Sequence, residues 1–299
     1  MLDIDMAKPE LERLIDRLAP FDEIVPGLVF GEGPAWNKRT KELFFVDIIG
    51  DKVLKWKPGV GVEVVLHPAG KPDGLTFDHQ GRLLCAGWGA RTVWRFDLTD
   101  GSITTIASHY QGTKLNTPND IIVKSDGSIY WTDMGGGLYN VGMSHVDIQR
   151  YLDFYGVLRL RPDSDRVELV VAGFTAPNGL CFSPDESLLY VNDSREGTIR
   201  VYDVKADGSV SNERVFIKLP GADPGVPDGM KCDSEGNVWC TGPGGLHITA
   251  PSGEHLGRIR LPQPATNIGW GDDDWQTLFI VCFGRVYRTR AKIPGIPVP

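Results

Sequence analysis

The sequence predicts an all-β fold, a six-bladed β-propeller with a short N-terminal helix, on three observations. From Phe21 to Arg290 the helical period vanishes, and short β-forming runs alternate with Gly, Pro, Asp and Asn. The 299 residues include 36 glycines and 21 prolines, which suits many turns and few helices. One hairpin is also written six times, each copy entered through a polar corner.

Taken in order, residues 8–18 place Leu11, Leu14, Ile15 and Leu18 at helical spacing, with Pro9 in the first turn. A helical extension over residues 1–20, packed across one end of a propeller domain over 21–299, is expected. The run Asp22-Glu23-Ile24-Val25-Pro26-Gly27-Leu28 follows, and it can supply the outer strand of the last blade and so close the ring. The six corners are Glu32, Asp73, Asn119, Asn178, Asp228 and Asn267, spaced 41, 46, 59, 50 and 39 residues apart. That spacing fits four-stranded blades. Third strands read at 52–56, 92–96, 156–160, 198–202 and 285–288. The longest step contains an insertion, residues 134–154, whose Tyr139, Tyr151 and Phe154 predict a packed lid.

Composition excludes several functions. The formal charge is -8 and the pI about 5.3, with no basic stripe, so a nucleic-acid partner is not expected. No apolar run approaches the roughly 20 residues of a membrane helix. The first residues carry acids where a signal peptide carries bases, so a cytoplasmic location is the expectation. Cys85, Cys181, Cys232, Cys240 and Cys282 lack CxxC spacing and read as buried apolar residues.

The corners carry the chemistry. A propeller's first strands line its central channel, so six equivalent positions face one another around the axis. Three carboxylates and three amides, without Cys or His, form an oxygen-donor set for a hard divalent cation, Ca²⁺ first and Mg²⁺ or Mn²⁺ less often. Carboxylates crowded there without a cation repel one another and rise in pKa. Each Asp-Gly or Asn-Gly alone is an ordinary turn dipeptide. Six in register are not.

Glu32-Gly-Pro-Ala-Trp36, Pro118-Asn119-Asp120, Pro177-Asn178-Gly179-Leu180 with Ser183-Pro184-Asp185, and Pro227-Asp228-Gly229-Met230 resemble the motifs of the SMP-30/gluconolactonase/luciferin-regenerating-enzyme family, across roughly residues 21–290. The resemblance implies a catalytic divalent metal, commonly Ca²⁺ with Zn²⁺ and Mg²⁺ accepted, held by Glu32, Asn119, Asn178 and Asp228. It also implies hydrolysis of a small-molecule lactone. Asp228 is then the expected general base, with Glu32 mainly a ligand, and attack by a carboxylate as nucleophile is the alternative. Asp73 and Asn267 become pocket or channel residues, and Asp120 is placed to orient substrate or tune the site, or equally to bond its own backbone as a corner residue. Animal sugar-lactone members carry Arg two residues before the ligand Asn. Thr117 stands there in this chain, which weakens the sugar expectation, while Trp88, Tyr139, Tyr151 and Trp270 are candidates for the wall of a less polar pocket. His109, His145 and His247 are lesser pocket candidates. Two alternatives use the same site: phosphotriester hydrolysis, and a calcium-binding propeller without turnover.

Overall fold

Second strands of the repeats are apolar on both faces, as strands sandwiched between neighbouring sheets must be. In Glu42–Asp47, for example, Leu43, Phe44, Phe45 and Val46 are all buried. The structure, a computed structural model, describes residues 2–136 and 147–298. Its sheets form six radial blades, each an antiparallel meander whose first strand is innermost. Blade 1 runs through Gly31–Asn37, Glu42–Asp47, Lys52–Lys57 and Gly61–Leu66. Blades 2 to 5 begin at Leu75–Phe77, Thr117–Val123, Pro177–Phe182 and Met230–Cys232. Blade 6 contains Asn267–Gly271, Thr277–Cys282 and Arg285–Arg290.

Blade 6 takes its outer strand from the other end of the chain. Asp22–Pro26 pairs antiparallel with Arg285–Arg290, joining Asp22 to Arg288 and Pro26 to Arg285 in register. The ring therefore closes as expected from sequence. Ladder hydrogen bonds between the two ends remove two exposed sheet edges at once.

The N-terminal helix is shorter than its apolar spacing predicts. Helix forms only over Leu11–Leu14, because Ile15 turns extended and bridges to Ala291. Leu11, Leu14 and Ile15 are buried against the core of blades 5 and 6, whereas Leu18 is 72% exposed. Tertiary pairing overrides the local period. Ile4–Met6 was not foreseen as a strand. It adds a fifth strand to blade 5, pairing with His255–Arg260. The third strand of that blade, Gly245–Thr249, was also unread.

Among the described residues no helix is long and apolar enough to cross a membrane. All five cysteines are free and buried. Of the insertion in blade 3, Tyr139 and His145 lie outside the described residues. Its far end is tied down: the Asn116 amide oxygen accepts from the Tyr151 and Leu152 backbones at 3.0 and 3.1 Å, and Tyr151 donates to Asp147.

Candidate functional site

The backbone breaks register where the polar corners occur. Pairing shifts between Glu32 and Ala35, between Pro118 and Ile121, and between Pro177 and Leu180. Bulges of this kind bend a strand and re-aim a side chain. In blades 2 and 5 the inner strand starts only after the corner, at Leu75 and Met230, so Asp73 and Asp228 stand off the sheet. Asn267 alone keeps regular pairing, opposite Val281.

Corner glycines let adjacent blades meet. A Cβ on Gly179 would sit 2.2 Å from the Asp228 carbonyl oxygen, and one on Gly229 would sit 2.0 Å from Asn267 Cγ. The Asn-Gly and Asp-Gly dipeptides serve close approach here, and backbone bonds confirm it: Gly74 N donates to Asn119 O at 2.7 Å, and Gly179 N to Asp228 O at 3.2 Å.

The result is a cavity of about 410 Å³ at the upper mouth of the channel, where the inner strands begin. Its wall includes Glu32, Asp73, Asn119, Asn178 and Asp228, together with Trp88. Asn119 Nδ2 donates to Asp73 Oδ2 at 2.7 Å, and Asn178 Nδ2 to Ser194 Oγ at 3.1 Å. Each amide thus commits its nitrogen to the protein and leaves its oxygen, the atom that would ligate a cation, on the other side. Glu32 Oε2 accepts from Gly33 N and from Asn267 Nδ2, both at 2.7 Å. Asn267 therefore stands behind Glu32 as a support and is absent from the cavity wall.

Burial dominates the electrostatics. It pushes Glu32 up to about 7, with Asp120 adding to the rise and the Gly33 and Asn267 donors opposing it. Asp73 is driven well above the carboxylate range by burial and then by Glu32, Asp228 and Asp120. Asp228 rises strongly through burial, Glu32 and Asp120, although part of its surface stays open to the cavity. Such crowding is relieved by a cation. Two carboxylates and two amide oxygens, Glu32, Asp228, Asn119 and Asn178, match a hard divalent ion in charge and donor type. Among the described residues no three His, Cys, Asp or Glu side chains form a metal cluster. The candidate set therefore depends on its amides.

Other expected site residues fall elsewhere. Thr117 is buried and donates to Met134 O at 2.6 Å, outside the cavity wall. Asp120 lies deeper in the channel, where Lys231 Nζ donates to its Oδ2 at 3.3 Å and Ile121 N to its Oδ1. Trp270 lines the opposite mouth, and Tyr151 is absent from the upper wall. His247 is buried between His255 and the Pro243 carbonyl, far from the ring in the fold. His109 belongs to a small side hairpin.

Sequence reasoning missed the end of the second strand of blade 4. Asn192 Nδ2 donates to Asp228 O at 2.5 Å, while Ser194 Oγ donates to Pro227 O at 2.6 Å and accepts from Asn178. One short run fixes two candidate ligands. The available signal was polarity: Asn192-Asp193-Ser194 closes an otherwise apolar strand. Arg195, next in the chain, joins the cavity rim.

Fold and site together define a six-bladed propeller with an oxygen-donor ring at one mouth of its channel. Residues 30–283 match the SMP-30/Gluconolactonase/LRE-like region, and the chain belongs to that family. It is 33% identical to the gluconolactonase of Zymomonas mobilis, across 96% of this chain and 85% of that protein. The L-arabinolactonase of Azospirillum brasilense is 29% identical, across 88% of this chain and 81% of that one. Among solved structures, a gluconolactonase from Xanthomonas campestris superposes with a TM-score of 0.90 at 30% identity, covering 96% of this chain and 94% of that one.

Proposed function

We propose that this protein is a lactonase, a carboxylic ester hydrolase that opens a small-molecule lactone at the upper mouth with a divalent cation, Ca²⁺ first. The observation that carries the reading is the meeting of Glu32, Asn119, Asn178 and Asp228 on one cavity, in a chain whose relatives include named lactonases. A cation bound there supplies Lewis-acid polarisation of the ring-ester carbonyl. Glu32, Asn119, Asn178 and Asp228 would serve as ligands, the first three oriented by the bonds described above. Asp228, with its edge open to the cavity, is the base that takes a proton from the attacking water. Water adds to the ester carbon, the ring carbon–oxygen bond breaks, and the departing oxygen receives the proton, leaving a hydroxy acid. Trp88 and the neighbouring apolar wall limit bulk water. Thr117 and Asn267 act on this chemistry only through neighbours, Met134 and Glu32, and Asp120 through its place beside Asn119.

A substrate panel tests this reading on one preparation, before and after chelator treatment and again with Ca²⁺, Zn²⁺, Mg²⁺ or Mn²⁺ restored. Lactone hydrolysis that disappears with chelator and returns with cation supports it. Full hydrolysis in chelator overturns the metal mechanism, and turnover of a phosphotriester alone favours the phosphotriesterase alternative.

A further inference from the structure

Two departures from the repeat meet inside the channel. One position after the corner residue, the six copies carry Gly33, Gly74, Asp120, Gly179, Gly229 and Ile268. Three positions after it they carry Ala35, Thr76, Ile122, Cys181, Lys231 and Trp270, all of which line the lower cavity. Each register thus holds a single charged residue, an acid in blade 3 and a base in blade 5. Lys231 Nζ donates to Asp120 Oδ2 at 3.3 Å, with the Asp120 side chain 3% exposed and that of Lys231 21%. Met230 and Cys232, on either side, are buried in the core of blades 4 and 5, and strand alternation turns Lys231 the other way, to the channel.

The fold does not require an ion pair here. Desolvating two charges offsets much of what they gain from each other, and apolar residues of similar volume are often as stable. The pair differs from an apolar one in its electrostatic reach. Beyond the burial that dominates their shifts, the Asp120 carboxylate pushes Glu32, Asp73 and Asp228 further up, and Lys231 draws Glu32 back. Asp120 is also fixed in place beside the ligand Asn119: its Oδ1 accepts from Ile121 N at 2.9 Å, and its N donates to Thr132 Oγ1 at 3.0 Å. Both charges therefore lie in the field of the oxygen donors, where burial limits screening by salt.

We propose that Lys231 acts through Asp120 to set the cation affinity of the upper ring, an inference that rests on the divalent-cation reading of that ring. Paired, the two side chains add no net charge beneath the donors. Without the ammonium, Asp120 becomes an uncompensated negative charge and draws a divalent ion in more tightly. Without the carboxylate, Lys231 becomes an uncompensated positive charge and repels the ion. Lys231 is absent from the upper cavity wall, so it is a positioning residue and not a ligand.

Calorimetric titration of chelator-stripped protein with Ca²⁺, at one pH and ionic strength, tests this on wild type, Lys231→Met, Asp120→Asn and the double variant. Lys231→Met binds about tenfold more tightly than wild type and Asp120→Asn about tenfold more weakly. The double variant, which again carries no net charge there, returns to within about threefold of wild type. Opposite signs separate charge from packing, because a pair that only held the strands in place would weaken binding in both single variants. Weakening in both, or unchanged affinity in both, overturns the inference and leaves the cation ring standing. Should Lys231→Met not fold, Lys231→Gln takes its place, with the same gain expected and a loss or no change overturning the inference. Wild type that binds no Ca²⁺ overturns the cation reading and this inference with it.

Discussion

The two mouths of the channel are built by the same six inner strands, yet they differ in kind. The upper mouth gathers Glu32, Asp73, Asn119, Asn178 and Asp228 in a cavity of about 410 Å³. The lower mouth has one of about 350 Å³ lined by Leu75, Ile121, Val123, Phe182, Cys232 and Trp270, and it is partly covered by Ile296, Pro297 and Val298. The tail is seated by Gly295 N on Trp275 O at 2.8 Å and by a bridge from Gly295 to Asp233. A shift of two to four residues along each strand replaces the corner oxygen donors by mainly apolar side chains, with Lys231, Asp185 and Glu186 also on the lower wall. Both ends are concave and similar in size, so concavity does not identify the reactive one. Crowded like charge does.

This contrast predicts opposite phenotypes for substitutions at the two mouths. Asp228→Asn, at the upper one, lowers kcat by about a thousandfold by removing the base. In chelator-stripped protein its melting temperature stays the same or rises, because one of the mutually repelling carboxylates is gone. A paired kinetic and thermal measurement checks both halves, and unchanged turnover removes Asp228 from the base role. Gly295→Ala, at the lower mouth, does the reverse. The added Cβ would lie 1.8 Å from Trp270 Cγ, so the tail shifts and stability falls by about 1–3 kcal/mol, read by denaturant unfolding. Lactone kcat/KM stays within about twofold of wild type, since such repacking ends below the ring. A large loss of turnover in this variant would show that the mouths are coupled.

What was legible in the sequence follows the same division between symmetric and local features. The corners could be read because repetition places them: Asn119 alone is a turn residue, and with five counterparts it lines a channel. Closure by Asp22–Pro26 was legible because a ring demands an outer strand for its last blade. Apart from the insertion in blade 3, which the longest step betrays, features present in a single blade were not legible. Ile4–Met6 is a strand only because it finds His255–Arg260, about 250 positions away. The helix over 8–18 reduces to Leu11–Leu14 because Ile15 has a better partner in Ala291. Ser194 and Arg195 follow a strand end that other blades fill differently, so no repeat marked them. Thr117 shows the converse: it stands two residues before Asn119, while its hydroxyl is committed to Met134 and it is absent from the cavity wall.

The central claim is that four oxygen donors from blades 1, 3, 4 and 5 hold one divalent cation. Calorimetric titration of chelator-stripped protein with Ca²⁺ tests it most directly, using wild type and Glu32→Gln side by side. The expected result is one ion per chain in wild type and an affinity lower by at least about a hundredfold in the variant, because one of two ligand charges is lost. Equal affinity in the two proteins, or no binding by wild type, would contradict it.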